Sequence, residues 1–322
     1  MQNSETHTVT IDESQDKKRL DQALTFYLKK YSRSFIKILL LNKKVKKTNQ
    51  IIDDVSYKVT CGEKFTIIIS NYKENIYEPE NIPIDIIFED NDLIIVNKKS
   101  GMITHPAPGK SSNTLVNALL YHSKNNLSNI NELNRPGIVH RIDKDTSGIL
   151  VIAKNNLAHR NLAIQFKNHT ITRKYYAIVW GSPRNQTIKG YIERNKINRK
   201  KMSFNNTSGK YSETSIHLKK NFDICSLIEC SLKTGRTHQI RVHMNHIKAP
   251  IIGDKIYGKN KANKYSKNNI YYNRFLLLKN FSRQALHAHI LGFIHPSTKK
   301  YMEFKSKLPE DMSNLLEFLV KY

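Results

Sequence analysis

Cysteine is scarce in this chain, with three residues, Cys61, Cys225 and Cys230, among 322. They form no close Cys-x-x-Cys pair, which argues against a disulfide framework or a zinc knuckle, and they read as buried thiols. Long apolar runs are missing as well. The longest, such as Ile149 to Ala153, fall far short of the roughly 18 residues that a spanning helix needs, so no membrane insertion is expected. There is no glycine-rich nucleotide loop, no HExxH pattern and no apolar signal core in the first eight residues, and the chain reads as cytoplasmic. Acidic residues are few beside the basic ones, 27 against 53, for a formal charge of +26 and a pI near 9.8. A chain so basic implies a polyanionic partner, nucleic acid or an anionic membrane surface. Because lysine and asparagine are abundant throughout, part of that charge is compositional.

The length suggests two domains. Residues 1–16 read as a flexible tail. Leu20, Leu24, Tyr27 and Leu28 recur at helical spacing, and a second amphipathic helix opens at Ser32-Arg33-Ser34 with Phe35, Ile36, Leu39 and Leu40 on one face. Short strands are expected at Lys44 to Thr48, at Ile51-Ile52 after a turn at Asn49-Gln50, and at Phe65 to Ile69. These elements make a small basic unit over residues 17–76. Its cations, Arg19, Arg33 and Lys37 among them, are either a solvated face or a platform for phosphates. Tyr72 to Pro83 reads as a linker, and residues 77–322 form the larger unit. There, strands at Ile84 to Phe88, Leu93 to Val96, Ile149 to Ala153, Tyr175 to Val179, Ile224 to Leu232 and Gln284 to Phe293 outnumber helices at Thr114 to His122, Ala158 to Phe166 and beyond Pro309. That irregular mixture is the pattern of an α+β fold. Lys124 to Asn134 and Lys259 to Asn273 read as surface loops.

Three polar segments stand out against this background. Gly137 to Gly148 packs a cation, carboxylates and turn formers between the apolar stretches Pro136 to Val139 and Ile149 to Ala153, both strand-like. It fits an Asx-rich turn as well as it fits a catalytic loop. In Arg173-Lys174-Tyr175-Tyr176-Ala177 a basic pair leads into an aromatic strand, where Tyr175 could pack in the core with its hydroxyl at the edge. The third segment, Thr234 to Met244, has a turn at Gly235 and a helix capped by Thr237, with His238 and Arg241 three apart on one face. That helix is either a surface element with unpaired cations or a source of an arginine that keeps a carboxylate ionised. A metal site from His238, His243, His287 and His289 lacks any known ligand spacing.

His140-Arg141-Ile142-Asp143-Lys144-Asp145-Thr146-Ser147-Gly148 resembles the HRLDxxTSG signature of the RluA family of RNA pseudouridine synthases. Arg173 to Ala177 with Gly181 is similar to that family's second motif, and Gly235 to His243 to its third. Arg19-Leu20-Asp21 and Ser32-Arg33-Ser34 resemble the small RNA-binding domain of the ribosomal protein S4 type. Thr104-His105-Pro106, Asn117 to Leu120 and Arg283 to Ala288 are most like members acting on large-subunit rRNA. The chain departs from the family at Asn97-Lys98-Lys99, where proline usually follows the lysine, and at Asn49-Gln50, where a glycine turn is usual.

The resemblance implies a pseudouridine synthase domain on a mixed, mostly antiparallel sheet behind an S4-like domain. It implies Asp143 as the catalytic carboxylate, Arg241 as its ion-pair partner and Tyr175 as the residue stacked on the target base. Arg141 fills the space left by an extruded uridine, and His140, Arg236, His238, Arg19, Arg33 and Lys37 contact RNA. The isomerisation has no redox step, so no cofactor and no metal are expected. The implied partner is 23S rRNA, in the large ribosomal subunit or its precursor, with the loop of helix 69 as target and the enzyme a monomer. Other rRNA or tRNA uridines, a non-catalytic RNA-binding assembly factor, and a DNA-binding regulator are the alternatives.

Overall fold

The computed structural model describes residues 4–29, 31, 33–70, 77–105, 111–124, 126–128, 135–258 and 271–321. Ser32, Pro106, residues 72–76 of the expected linker and most of the two expected surface loops lie outside the described residues.

The N-terminal unit comprises β1 (Ser4–Thr10), α1 (Leu20–Tyr27), α2 (Arg33–Leu41), β2 (Val45–Lys47), β3 (Gln50–Ile51) and β4 (Lys64–Ser70). Leu20, Ala23 and Leu24 on α1 meet Ile36, Leu39 and Leu40 on α2 over an antiparallel sheet of order β1-β4-β2-β3. The expected tail is therefore only partly a tail. Ser4 to Thr10 pair residue by residue with Ser70 to Lys64, and Val9 and Ile11 enter the core. One inward valine among polar neighbours is too weak a period-2 signal to read in advance. In the turn between β2 and β3 it is Thr48, at φ +55°, that takes the left-handed conformation. Asp21 is buried and accepts from Arg19 Nε (3.1 Å) and Arg33 Nε (2.8 Å), so these two cations are partly spent on the fold. Lys37 is exposed. Cys225 and Cys230 are buried, whereas Cys61, in the turn before Gly62, is exposed, contrary to the reading of all three as buried thiols.

The larger unit holds β5 (Asp85–Glu89), β6 (Leu93–Lys98), α3 (Leu115–His122), β7 (Ser147–Ala153), α4 (Asn156–Lys167), β8 (Thr172–Trp180), β9 (Gln186–Arg194), β10 (Met202–Asn205), β11 (Lys210–Asn221), β12 (Cys225–Leu232), α5 (Gln239–His246), α6 (Tyr272–Lys279), β13 (Leu286–Ile294), β14 (Tyr301–Lys305) and α7 (Glu310–Lys321). The strands form one sheet of order β10-β9-β11-β12-β8-β13-β7-β6-β5, with β14 also on β13. All pairs are antiparallel except β13 with β7. This is the expected α+β architecture.

Alternation explains how both faces are covered. Ile94, Val96, Leu150 and Ile152 face a core shared with α3, α5, α6 and α7, while Leu93, Ile95, Ile149, Val151 and Ala153 face α4 through Ala158 and Leu162. Strands buried on both faces read as continuous apolar runs, which is why β6 and β7 stood out in the sequence. β9, β10 and β11 lie toward one edge and carry few apolar residues, and no expectation covered them. Pro136 to Val139, expected as a strand, makes only the isolated bridge Ile138 to Ile152, because Gly137 turns at φ +71°.

The sheet forks at the start of β7. His287 and Ala288 of β13 pair with Ser147 and Gly148 of β7, and from Ile290 onward β14 takes that edge instead. Gly148, at φ +119°, sits so close that an added Cβ would lie within 2.5 Å of both the Ala288 carbonyl oxygen and the Ala288 backbone nitrogen. Gly148→Ala is thus expected to destabilise the chain by about 3 kcal/mol or more, since neither the backbone angle nor the neighbouring strand can yield cheaply. Urea unfolding measures this, and a shift under about 0.5 kcal/mol would refute the crowding at the fork.

Candidate active site

The segment from His140 to Thr146 is a turn between a buried anchor and β7. Its carbonyls are held one after another. Ile142 O accepts from Thr104 Oγ1 (3.1 Å), Asp143 O from Thr146 N (3.1 Å), Lys144 O from Gly101 N (2.9 Å) and Lys98 Nζ (3.0 Å), and Asp145 O from Arg283 Nη1 (3.2 Å). Four consecutive satisfied acceptors fix a loop that would otherwise be free to sample. Ile142 is buried, so the loop is also pinned by an apolar side chain, and Asp143 beside it faces a cavity of about 560 Å³.

Tyr175 and Arg173 reach this cavity from β8, where residues two apart share a face. His238 and Arg241 reach it from the start of α5. Thr237 does not cap that helix. The N-cap is His238, in the left-handed conformation at φ +58°, and the side chain of Gln239 closes the turn by accepting from Arg236 N (2.9 Å) and Thr234 Oγ1 (2.8 Å). The left-handed residue is what aims the His238 ring at Asp143, with Nε2 3.9 Å from Oδ2.

Arg241 donates from Nη1 to Asp143 Oδ2 at 2.8 Å. Its other edge is a two-point fork on Asp254, Nε to Oδ2 (2.7 Å) and Nη2 to Oδ1 (3.0 Å). Asp254 Oδ1 accepts also from the backbone N–H of Ile256 and Tyr257, and the Asp254 side chain is fully buried. Burial pushes the Asp254 carboxyl up, but the Arg241 fork and those backbone donors outweigh it and hold it below the usual carboxylate range. For Arg241, burial works against the charge and the two carboxylates overcome it, so its pKa is raised.

Tyr257 completes the brace. Its ring lies 5.2 Å from the Arg241 guanidinium carbon, its hydroxyl is 2.9 Å from His238 Nδ1, and it accepts from Met202 N (2.8 Å). Burial lowers the His238 pKa against the pull of Asp143, which favours the neutral ring. With one lone pair of the Tyr257 hydroxyl filled by Met202, its proton is available to Nδ1, and the ring proton then sits on Nε2, facing Asp143.

Asp143, Tyr175 and Arg241, expected together, do share one cavity. Arg141, Arg236 and His238 also line it. Arg141 is exposed and its Nη1 lies 3.1 Å from Nε2 of His105, whose pKa burial lowers to about 4, so that the neutral ring can accept. Arg236 is tied by Nε to Tyr211 O at 2.8 Å. His140 is committed to the fold: it accepts from Val151 N (3.0 Å) and stacks on Phe166, and burial pushes it down to about 3, so it offers no cation to RNA. His243, His287 and His289 are bonded to Ser212 or Ser306 and do not converge with His238 on a common point. Among the described residues the one cluster with metal-ligand geometry is Asp90, Asp92 and His295, which is already closed by the His295 to Asp90 pair at 2.9 Å.

Asp254, Tyr257 and Lys98 escaped the sequence reading. The sign for Asp254 was an acid directly after the apolar run Pro250-Ile251-Ile252-Gly253, a place where an unpaired carboxylate would not be tolerated. Lys98 is 2% exposed and donates to the carbonyls of Lys99, Met102 and Lys144. Those three acceptors match the three donors of an ammonium. Burial nevertheless pushes the amine down to about 7, against the opposing charges of Asp145 and Asp143.

Two outcomes follow from this geometry. Asp254→Asn leaves the buried Arg241 with half its counter-charge, and an unfolding free energy lower by about 3 kcal/mol is expected in urea; an unchanged value would refute the brace. For Lys98, the folded chain binds fewer protons than the unfolded chain between about 7 and 10.5, so this residue makes stability rise with pH across that window and leaves it lowest below it. The difference in unfolding free energy between wild type and Lys98→Met is expected to grow by up to ~1.4 kcal/mol per pH unit over that range. A flat difference would show the amine to be fully charged in the fold.

With this geometry established, residues 92–246 match the family of RNA pseudouridylate synthases. The chain is 42% identical over 321 residues, 98% of each chain, to ribosomal large subunit pseudouridine synthase D of Zymomonas mobilis. It is 37% identical to the protein of that name from Escherichia coli, over 97% of this chain and 94% of the relative. An uncharacterized RNA pseudouridine synthase of Bacillus subtilis, YlyB, is 41% identical over 97% and 98%. Among solved structures, human RNA pseudouridylate synthase domain containing 4 shares the fold at a TM-score of 0.57 and 21% identity, covering 73% of this chain and 93% of that one.

Proposed function

The chain belongs to the RNA pseudouridylate synthase family and is an RNA pseudouridine synthase, and from that premise we propose that it isomerises uridines of 23S rRNA in the loop of helix 69, with Asp143 as the catalytic carboxylate. The reaction breaks the bond from uracil N1 to ribose C1′, turns the base and joins C5 to C1′. The proton on C5 is lost and N1 gains one, so atoms balance without a donor.

The observation that carries this reading is the Asp143 carboxylate at the wall of the cavity, with Oδ2 fixed by Arg241 at 2.8 Å. The other oxygen, Oδ1, accepts no hydrogen bond from the described residues and is free for a reacting ribose carbon or a proton. Arg241 cannot follow a substrate, because two of its donors are locked on Asp254. A cation held in advance needs no reorganisation when charge develops. Tyr175 is 8% exposed and its hydroxyl has no partner among the described residues. Burial raises its pKa, which keeps it a neutral phenol suited to stacking on a base and to passing a proton. A uridine reaches these groups only after leaving its stack, and Arg141 at the exposed rim is placed to occupy the gap.

The large-subunit target rests on the two relatives named ribosomal large subunit pseudouridine synthase D, and the small N-terminal unit with its exposed Lys37 is an RNA-binding domain in this reading. The test uses rRNA from cells that lack the protein, treated with wild type or Asp143→Asn and mapped by reverse transcription after carbodiimide modification. Wild type is expected to produce stops in the helix 69 loop and Asp143→Asn none, a loss of at least a thousandfold in rate. Stops elsewhere would reassign the target, and equal stops from both proteins would remove Asp143 from the chemistry.

A further inference from the structure

Among the described residues three arginines are more than nine-tenths buried: Arg173, Arg241 and Arg283. Arg241 has Asp143 and Asp254, and Arg283 has a two-point pair with Asp311, at 2.6 and 2.8 Å. Among the described residues Arg173 faces no carboxylate. Its hydrogen bond among the described residues is from Nη2 to Lys233 O (3.1 Å), its Nε is buried without a partner, and the Phe166 ring lies 5.6 Å from its guanidinium carbon. An uncompensated buried cation is strongly unfavourable, which is why buried arginines carry their counter-charges with them.

The missing charge has a definite place. Arg173 lines the same cavity as Asp143, and Lys167, His169 and Arg236 line it with no acid between them. His169 Nδ1 is a second buried polar atom without a partner. Gly235 makes room for the guanidinium, since an added Cβ would lie 2.6 Å from Arg173 Nη1. Arg173 and Tyr175 share a face of β8 two residues apart, a rise of about 7 Å. That spacing is comparable with the distance from a nucleobase to its own phosphate.

We propose that Arg173, with His169 and Arg236, binds one backbone phosphate of the RNA, that of the nucleotide whose base enters the cavity against Tyr175. The site rests on the reading of the cavity as the seat of an extruded uridine. The planar guanidinium presents two donors to the phosphate diester, and the RNA supplies the charge that the fold withholds. In this arrangement Arg173 has, among the described residues, only the Lys233 carbonyl and the Phe166 ring for company until substrate arrives, and part of the binding energy comes from supplying its counter-charge.

The test uses the full-length protein and a synthetic RNA stem-loop containing the mapped target uridine, with single methylphosphonates replacing the phosphates around it. For wild type, neutralising the phosphate of the target nucleotide is expected to weaken binding roughly tenfold. Arg173→Gln is expected to lose a similar factor on the unmodified RNA, to lose nothing further with the methylphosphonate, and to reduce the logarithmic salt slope by about 0.7. Arg173→Lys keeps the charge without the fork, is expected to fall between the two, and serves where the glutamine variant does not fold. Additive losses, or a wild type indifferent to every methylphosphonate within two nucleotides of the target, would overturn the phosphate site. Failure of the underlying reading shows separately, as wild type that forms no pseudouridine in the same RNA.

Discussion

Everything at the centre of this molecule depends on one guanidinium shared between two carboxylates. Asp254 is buried with no escape to water, and it holds Arg241 by two parallel hydrogen bonds while two backbone N–H groups hold Asp254 in turn. The remaining arm of Arg241 is what Asp143 receives. A pair buried this deeply is weak evidence for net stability, because desolvation offsets much of the attraction. Its value is geometric, since it converts a long flexible side chain into a fixed positive point in front of the proposed catalytic carboxylate.

The fold supplies that precision from two directions. Arg241 and His238 arrive from α5, whose first turn is closed by Gln239, and Asp143 arrives from the loop that enters β7 at the fork of the sheet. Tyr257 ties together the two side chains that α5 supplies, touching the guanidinium with its ring and the imidazole with its hydroxyl. Apart from the turn that Gln239 closes, these contacts are not local in sequence. They converge because β8, β13 and β7 are neighbours in the sheet, so the twisted central strands bring segments about a hundred residues apart to one cavity.

This distribution explains what the sequence disclosed. The doubly covered strands β6 and β7 and the amphipathic helices α1, α2 and α7 were legible because burial on a regular period leaves an apolar imprint. The loop around Asp143 stood out because polar residues interrupt apolar sequence, but that alone fitted an Asx-rich turn equally well, and the resemblance to the RluA signature is what singled out Asp143. β1 and the strands β9, β10 and β11 toward one edge of the sheet left almost none: on β9 only Ile188 and Ile192 are buried apolar residues. Asp254, Tyr257 and Lys98 act through contacts set by the folded loops around them, some near and some far along the chain, and no periodicity encodes such a partner. Thr237 had the right chemistry for a cap, yet the left-handed His238 beside it took the position, since that conformation serves the site rather than the helix.

The loop bearing Asp143 has its carbonyls fastened in sequence from Ile142 to Asp145, by a hydroxyl, two backbone amides, a buried amine and a guanidinium. With the peptide planes from Ile142 to Asp145 committed, the segment that carries Asp143 is held in place rather than free to reach toward a base inside a helix. A frame this stiff leaves the deformation to the other molecule. In the proposed reaction the work of extrusion then falls on base stacking in the RNA, which favours uridines in loops, beside mismatches or in half-assembled helices. Selectivity, in such an enzyme, is read from how easily the nucleic acid bends as much as from which bases it carries.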